Sequence, residues 1–321
     1  MFVGVSPLVW RCRPERVTAM PDKVQTLWHK HKKTLAFEAF LLPALLIFGT
    51  FILYPSIVTI FKSFTNWTDL NTGREQFNGL DNYIRLFHDK SVLIGIRNSF
   101  TFAICASIFQ SVVGLALALV LDTKFRTRNF LRAVWYFPAV LSTLIIGFLW
   151  NYMLSTSDFG LVNQFIQFLG FNKVNFLGNA NNAMICIIFV SVWQWAGWTM
   201  TIYLANLQSI PADLYEAASL DGASSVQRFL HVTLPMLFPA VSFNLVTGMI
   251  NGLKVFDIIY ALTNGGPNGK TESIVSLMMK KGFTEGFQGY ACAMGTVFLV
   301  IVMTITVIQQ KFLGKWGDSL E

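Results

Sequence analysis

Between Arg97 and Asp122 no residue carries a charge. That run is long enough for an α-helix to cross the hydrocarbon of a bilayer, which takes about 20 predominantly apolar residues. Comparable runs recur at about 35–62, 133–154, 183–207, 236–262 and 290–310. The composition agrees: 13% of residues are charged, against about 25% in soluble domains. The expected fold is therefore an all-α integral membrane protein with six transmembrane helices. Pro43 and Pro55 fall inside the first run, which membrane helices tolerate because neighbouring groups satisfy the freed backbone.

The polar segments set the organisation. Residues 1–34 read as a basic cytoplasmic tail, residues 35–312 as the six-helix domain and residues 313–321 as a second cytoplasmic tail. The apolar start at 1–10 is too short for a secretory signal, and the compositional break after it makes Met20 an alternative start. The loop at 122–132 holds Lys124, Arg126, Arg128 and Arg132. Six spans put this loop on the same side as the N-terminal tail, and the positive-inside rule makes that side cytoplasmic. Leu161, Phe165, Phe168 and Leu169 form a stripe at helical spacing, which predicts a short amphipathic helix on the membrane or on the protein. The net charge of +7 sits in these loops and not on one polar face, so nucleic acid is not an expected partner. Cys12, Cys105, Cys186 and Cys292 are scattered, and three lie in apolar runs. They read as small hydrophobes, not as a disulfide or metal site.

One polar segment, 216–235, reads as a folded unit. It lies in the 208–235 loop between spans four and five. Pro211 suits the first turn of a helix, and Asp213 and Glu216 stand near that helix start, where the dipole favours negative charge. Asp221-Gly222 signals a turn. Ser224 and Gln227 have the spacing of a capping box for a second helix, which Pro235 is expected to end.

Glu216, Ala217, Ala218, Asp221, Gly222, Ala223, Gln227, Phe229, Leu234 and Pro235 together resemble the EAA loop of permease subunits in binding-protein-dependent ABC importers. Phe256-Asp257, the LTNGGP run ending at Pro267, and the run at 79–87 resemble the sugar and oligosaccharide members. The likeness covers about residues 35–312. It implies a multi-pass protein of a bacterial or archaeal plasma membrane. Its implied partners are a second permease subunit, a different chain; an ATPase dimer; an extracytoplasmic solute-binding protein; a carbohydrate substrate; and lipid. The 216–235 loop becomes the coupling helix that sits in a groove of the ATPase. Residue types then suggest roles. Ala217, Ala218 and Ala223 let a partner surface come close. Gly222 permits a sharp turn or positive φ. Glu216 presents a fixed charge to a basic or amide partner, and Asp221 does the same or caps the turn.

Catalytic motifs are not evident. The run at 264–271 ends in Gly-Lys-Thr like a phosphate-binding loop, but has Asn264 where that pattern needs glycine and follows a membrane helix where the pattern has a strand. No cofactor is therefore expected in this chain; ATP belongs to partner subunits, and the chain is not an enzyme. The expected substrate pathway involves Trp195, Trp198, Asn251, Lys254 and Asp257. Charge at the centre of a span costs about 2.5–3.5 kcal/mol, so Lys254 and Asp257 should avoid lipid. They are three apart and could pair on one helix face; with Asn251 they line a cavity or brace the bundle. Trp195 and Trp198 share a face that suits a sugar ring or the interface belt, and are favoured over Trp193. Sugar as the solute rests on the resemblance. Lys254 would also suit a glycerol-phosphate or an acidic oligosaccharide. A self-sufficient secondary transporter would show inverted repeats and ion sites, and no convincing repeat is present.

Overall fold

The computed structural model describes residues 41–318. The basic tail at 1–34 and the first residues of span one lie outside the described residues, as do residues 319–321. The described residues divide into two units at residue 58. Helix α1 (Leu41–Lys62) begins in the first. It runs through Pro55, which follows a widened turn at Gly49–Leu53 where the Tyr54 N–H reaches back to the Gly49 carbonyl. A proline ring collides with the carbonyl four residues earlier, here Phe51, which the widened turn carries.

In the second unit come α2 (Asp81–His88), α3 (Lys90–Asp122), α4 (Arg128–Val140), α5 (Thr143–Met153), α6 (Leu161–Phe168) and α7 (Ala180–Leu207). After them come α8 (Ala212–Leu220), α9 (Ser225–Met236), α10 (Phe238–Leu253), α11 (Asp257–Thr263), α12 (Ile274–Met279) and α13 (Gln288–Asp318). Among the described residues four helices are long and apolar enough to span a membrane, and up to six if each of two bent pairs counts as one span. The predicted stripe of α6 is exposed along its length.

Helix α3 is packed in the manner of a membrane protein. Most of its buried residues are small, among them Ala103, Ala106, Ser107 and Ala118, while Ile104, Ile108 and Phe109 are exposed. Lipid is as apolar as leucine, so helices associate through close backbone approach at small residues. The α10 contact shows it: a Cβ at Gly252 would stand 2.6 Å from the Cα of Ala103.

Two expected spans are broken. The run at 133–154 divides into α4 and α5, bent by 97°. The chain is extended at Leu141, and the buried Gln194 of α7 donates to the Leu141 carbonyl (3.2 Å) and to Thr143 Oγ1 (3.1 Å). Non-helical backbone at membrane depth survives only when protein supplies such partners. The run at 236–262 likewise breaks between α10 and α11, where Ser273 Oγ donates to the Val255 carbonyl (2.7 Å). Pro235 does not end the second loop helix. A widened turn at Phe229–Thr233 precedes it with the same spacing as at Pro55, and α9 runs on until a 62° bend into α10.

At the α2–α3 corner, Asp89 Oδ1 accepts from the backbone and hydroxyl of Ser91 (2.9 and 2.5 Å), and Oδ2 accepts from Tyr290 of α13 (2.9 Å). Burial pushes this carboxyl up, but the bonds from Ser91 and Tyr290 and the charge of Lys281 outweigh it, and its pKa falls below the ordinary value. A depressed carboxylate stabilises the fold at pH values above the unfolded pKa of about 3.9, and the gain is lost as pH falls through the folded value. The Asp89→Asn variant is thus expected to lose thermal stability at pH 7, with the deficit shrinking as the pH falls toward 3. Melting curves in detergent across that range check this; an equal deficit at both ends would reject it.

Candidate functional site

The 208–235 loop folds as two helices held by local bonds. Pro211 caps α8 from just outside, not within its first turn. At the other end the Ala223 N–H bonds to the Ala218 carbonyl (2.9 Å) and the Gly222 N–H to that of Ser219 (3.1 Å). This Schellman arrangement needs a left-handed residue after the cap, and Gly222 supplies it with φ +77°. The Ser224–Gln227 capping box forms in both directions. Arg228 then ties the helices together, donating to Ser219 Oγ (3.0 Å) and Ser225 Oγ (3.3 Å). Tyr215 and Thr233 bond through their hydroxyls at 3.0 Å.

A groove of about 270 Å³ lies between the two helices, walled by Ala218, Asp221, Gly222, Ala223 and Gln227, with Arg228 and His231. Glu216 and Ala217 are exposed beside it and do not line it. Leu220 is 90% exposed and Val226 67% exposed. Sequence reasoning missed both, although apolar residues inside a polar loop were a readable signal.

A cavity of about 510 Å³ brings together all five residues expected on the substrate pathway: Trp195 and Trp198 from α7, Asn251 from α10, Lys254 at the break, and Asp257 opening α11. Along α3 and α7 it falls between two apolar clusters, one around Ile187 and Val190, the other around Met200 and Leu204. Trp193 faces elsewhere, edge-on to Trp150 at 5.6 Å. The expected Lys254–Asp257 pairing does not form among the described ion pairs. The break separates them, since Lys254 closes one helix and Asp257 begins the next. Both side chains are exposed to the cavity. Asn244, which lies on span five but was not expected on the pathway, is 7% exposed and lines the cavity with its Nδ2 unbonded.

The run at 264–271 is a closed turn. Its own carbonyls take the N–H groups of Lys270, Thr271 and Glu272. The Glu272 carboxylate also covers Gly265, where a phosphate would need access.

A helical bundle packed through small residues, with a polar cavity between its helices and a folded polar loop, has the architecture of a membrane transport protein. Residues 110–316 match the model of the family described as binding-protein-dependent transport system inner membrane components, and the chain belongs to that family. It is 35% identical over 277 residues to a probable ABC transporter permease protein, YurN, of Bacillus subtilis, covering 85% of this chain and 94% of that one. It is also 35% identical over 281 residues to the multiple sugar-binding transport system permease protein MsmF of Streptococcus mutans, covering 86% and 94%. The crystal structure of a bacterial ABC transporter involved in import of the acidic polysaccharide alginate matches with TM-score 0.80 and 25% identity, covering 90% of this chain and 99% of that one.

Proposed function

We propose that this chain is the permease subunit of an ATP-driven importer for a sugar or oligosaccharide. The observation that carries the reading is the convergence of Trp195, Trp198, Asn251, Lys254 and Asp257 on one cavity. Flat aromatic faces with amides and hydroxyls nearby suit a ring that presents C–H groups on one side and O–H groups around its rim. The relationship to a multiple-sugar permease points the same way. The lysine and the aspartate leave the cavity without a dominant sign, which favours a neutral solute over a polyanion.

In this reading a second permease subunit completes the pathway, and a solute-binding protein delivers from outside. The basic loops support a cytoplasmic position for the 216–235 unit. There an ATPase dimer docks on its exposed surface, with Leu220 and Val226 as apolar anchors, Glu216 and Asp221 as charges, and Ala217 beside them. ATP is bound and hydrolysed by those subunits, not by this chain. Closure of the ATPases moves the two loop helices as a unit, and the cavity turns from the outside to the inside. Each ligand shifts that equilibrium only by its difference in affinity for the two states.

The test is ATP-dependent uptake into proteoliposomes holding the assembled transporter and its binding protein. The panel comprises α-glucans, arabinans and xylans from mono- to pentasaccharide, with one acidic oligosaccharide. Wild type is expected to take up a neutral member, and Asn251→Ala to lower that uptake on the order of tenfold, by leaving substrate hydroxyls unpaired. Uptake of only the acidic sugar, or of none, would overturn the reading.

A further inference from the structure

A second cavity, of about 440 Å³, is walled by Phe148 and Asn151 of α5, by α11 from Tyr260 onward, and by Asn264 and Pro267 in the turn that follows. The first cavity reaches α11 only as far as Ile258. Phe256 lines the first cavity and Tyr260 the second. Their rings stack with centroids 5.6 Å apart and planes 22° apart. An aromatic surface therefore continues from one cavity to the other.

Three side-chain polar groups of this second cavity are open, while the Thr263 hydroxyl is bonded to the Ile259 carbonyl and to Thr271. Asn151 Nδ2 is bonded to the Leu262 carbonyl (2.6 Å), which leaves Oδ1 as a free acceptor. The Tyr260 hydroxyl and the Asn264 amide have no side-chain partner among the described residues. Tyr260 is 48% exposed. No Asp, Glu, Lys or Arg lines this cavity, unlike the first.

We propose that this outer cavity is a second carbohydrate subsite, taking a neutral ring of an oligosaccharide whose other end occupies the cavity around Trp195 and Asn251. The inference rests on the sugar-import reading and adds to it a selection by chain length. An amide oxygen, an amide and a phenol offer acceptors and donors together, as a ring bearing hydroxyls requires. An acyl chain would leave all three unpaired, at a desolvation cost. The uncharged lining gives no purchase to a carboxylate or phosphate. A mono- or disaccharide that fills the inner cavity does not reach Tyr260, so only longer chains gain from it.

The experiment uses the same assembled transporter and panel, with Tyr260→Leu, Tyr260→Phe and Trp195→Leu variants. The quantity read is kcat/KM for the tetrasaccharide divided by that for the disaccharide of one series. Tyr260→Leu is expected to lower this ratio on the order of fivefold to tenfold, the scale of one lost hydrogen bond with its ring contact. Tyr260→Phe, which keeps the ring, should recover part of it, and Trp195→Leu should lower uptake at every length. A Tyr260→Leu loss equal at all lengths would mean a structural role. No loss at any length would mean that lipid or the neighbouring subunit fills the groove. Either overturns the subsite. If Trp195→Leu spares uptake at every length, the inner cavity is not the carbohydrate site, and the sugar reading fails separately.

Discussion

Replacing Gly222 with valine is expected to cut ATP-driven uptake about tenfold or more while the chain still accumulates in the membrane. Gly222 closes the Schellman turn with φ +77°. Left-handed backbone costs a residue with a Cβ roughly 1–2 kcal/mol, and a β-branched side chain is a genuine outlier there. Space is not the obstacle, since a Cβ at this position meets nothing within 4 Å. The penalty therefore falls on the turn that sets the angle between α8 and α9, and on the groove that Gly222 lines. Asparagine tolerates the left-handed region, so Gly222→Asn separates two causes. If conformation governs, Gly222→Asn keeps most of the uptake. If both variants lose it equally, an approaching partner surface, not φ, requires the glycine. Wild-type uptake in Gly222→Val would remove the loop from the coupling path.

Gly197→Leu is expected to prevent stable folding, and Gly197→Ala to lower the melting temperature. Here backbone meets backbone: a Cβ on Gly197 would stand 2.0 Å from the carbonyl oxygen of Trp135 and 2.7 Å from the Cα of Tyr136. Neither atom belongs to a flexible side-chain end, so α4 and α7 must separate. Overpacking of this kind typically costs about 1–3 kcal/mol, sometimes more. The displacement would also disturb the stacking of Tyr136 on Trp198 at 6.3 Å, and with it one wall of the main cavity. Fluorescence-detected gel filtration after heating measures the loss. An unshifted Gly197→Ala curve would show that the two helices do not pack there.

The 216–235 unit is legible in the sequence because its bonds are local. The capping box spans Ser224 to Gln227, and the glycine turn closes on carbonyls a few residues back. The shared wall of Trp195 and Trp198, without Trp193, likewise needed only helical spacing. Nothing comparable foretold the breaks at Leu141 and Val255. Apolar runs at 133–154 and 236–262 look continuous, and the groups that make the breaks tolerable, Gln194 and Ser273, lie 53 and 18 residues away.

The expected Lys254–Asp257 pair failed for that reason, because it presumed one unbroken helix. Pro235 was misjudged in a related way, since the widened turn ahead of it shifts the hydrogen-bond register. The order of residues by itself determined which stretches are apolar and helical and how the exposed loop caps and turns, since those depend on hydrophobicity and on neighbours within a turn or two. Where the spans bend, and so where a polar cavity opens between them, was decided only by tertiary structure, because a carbonyl freed inside a bilayer must find its donor on another segment of the fold.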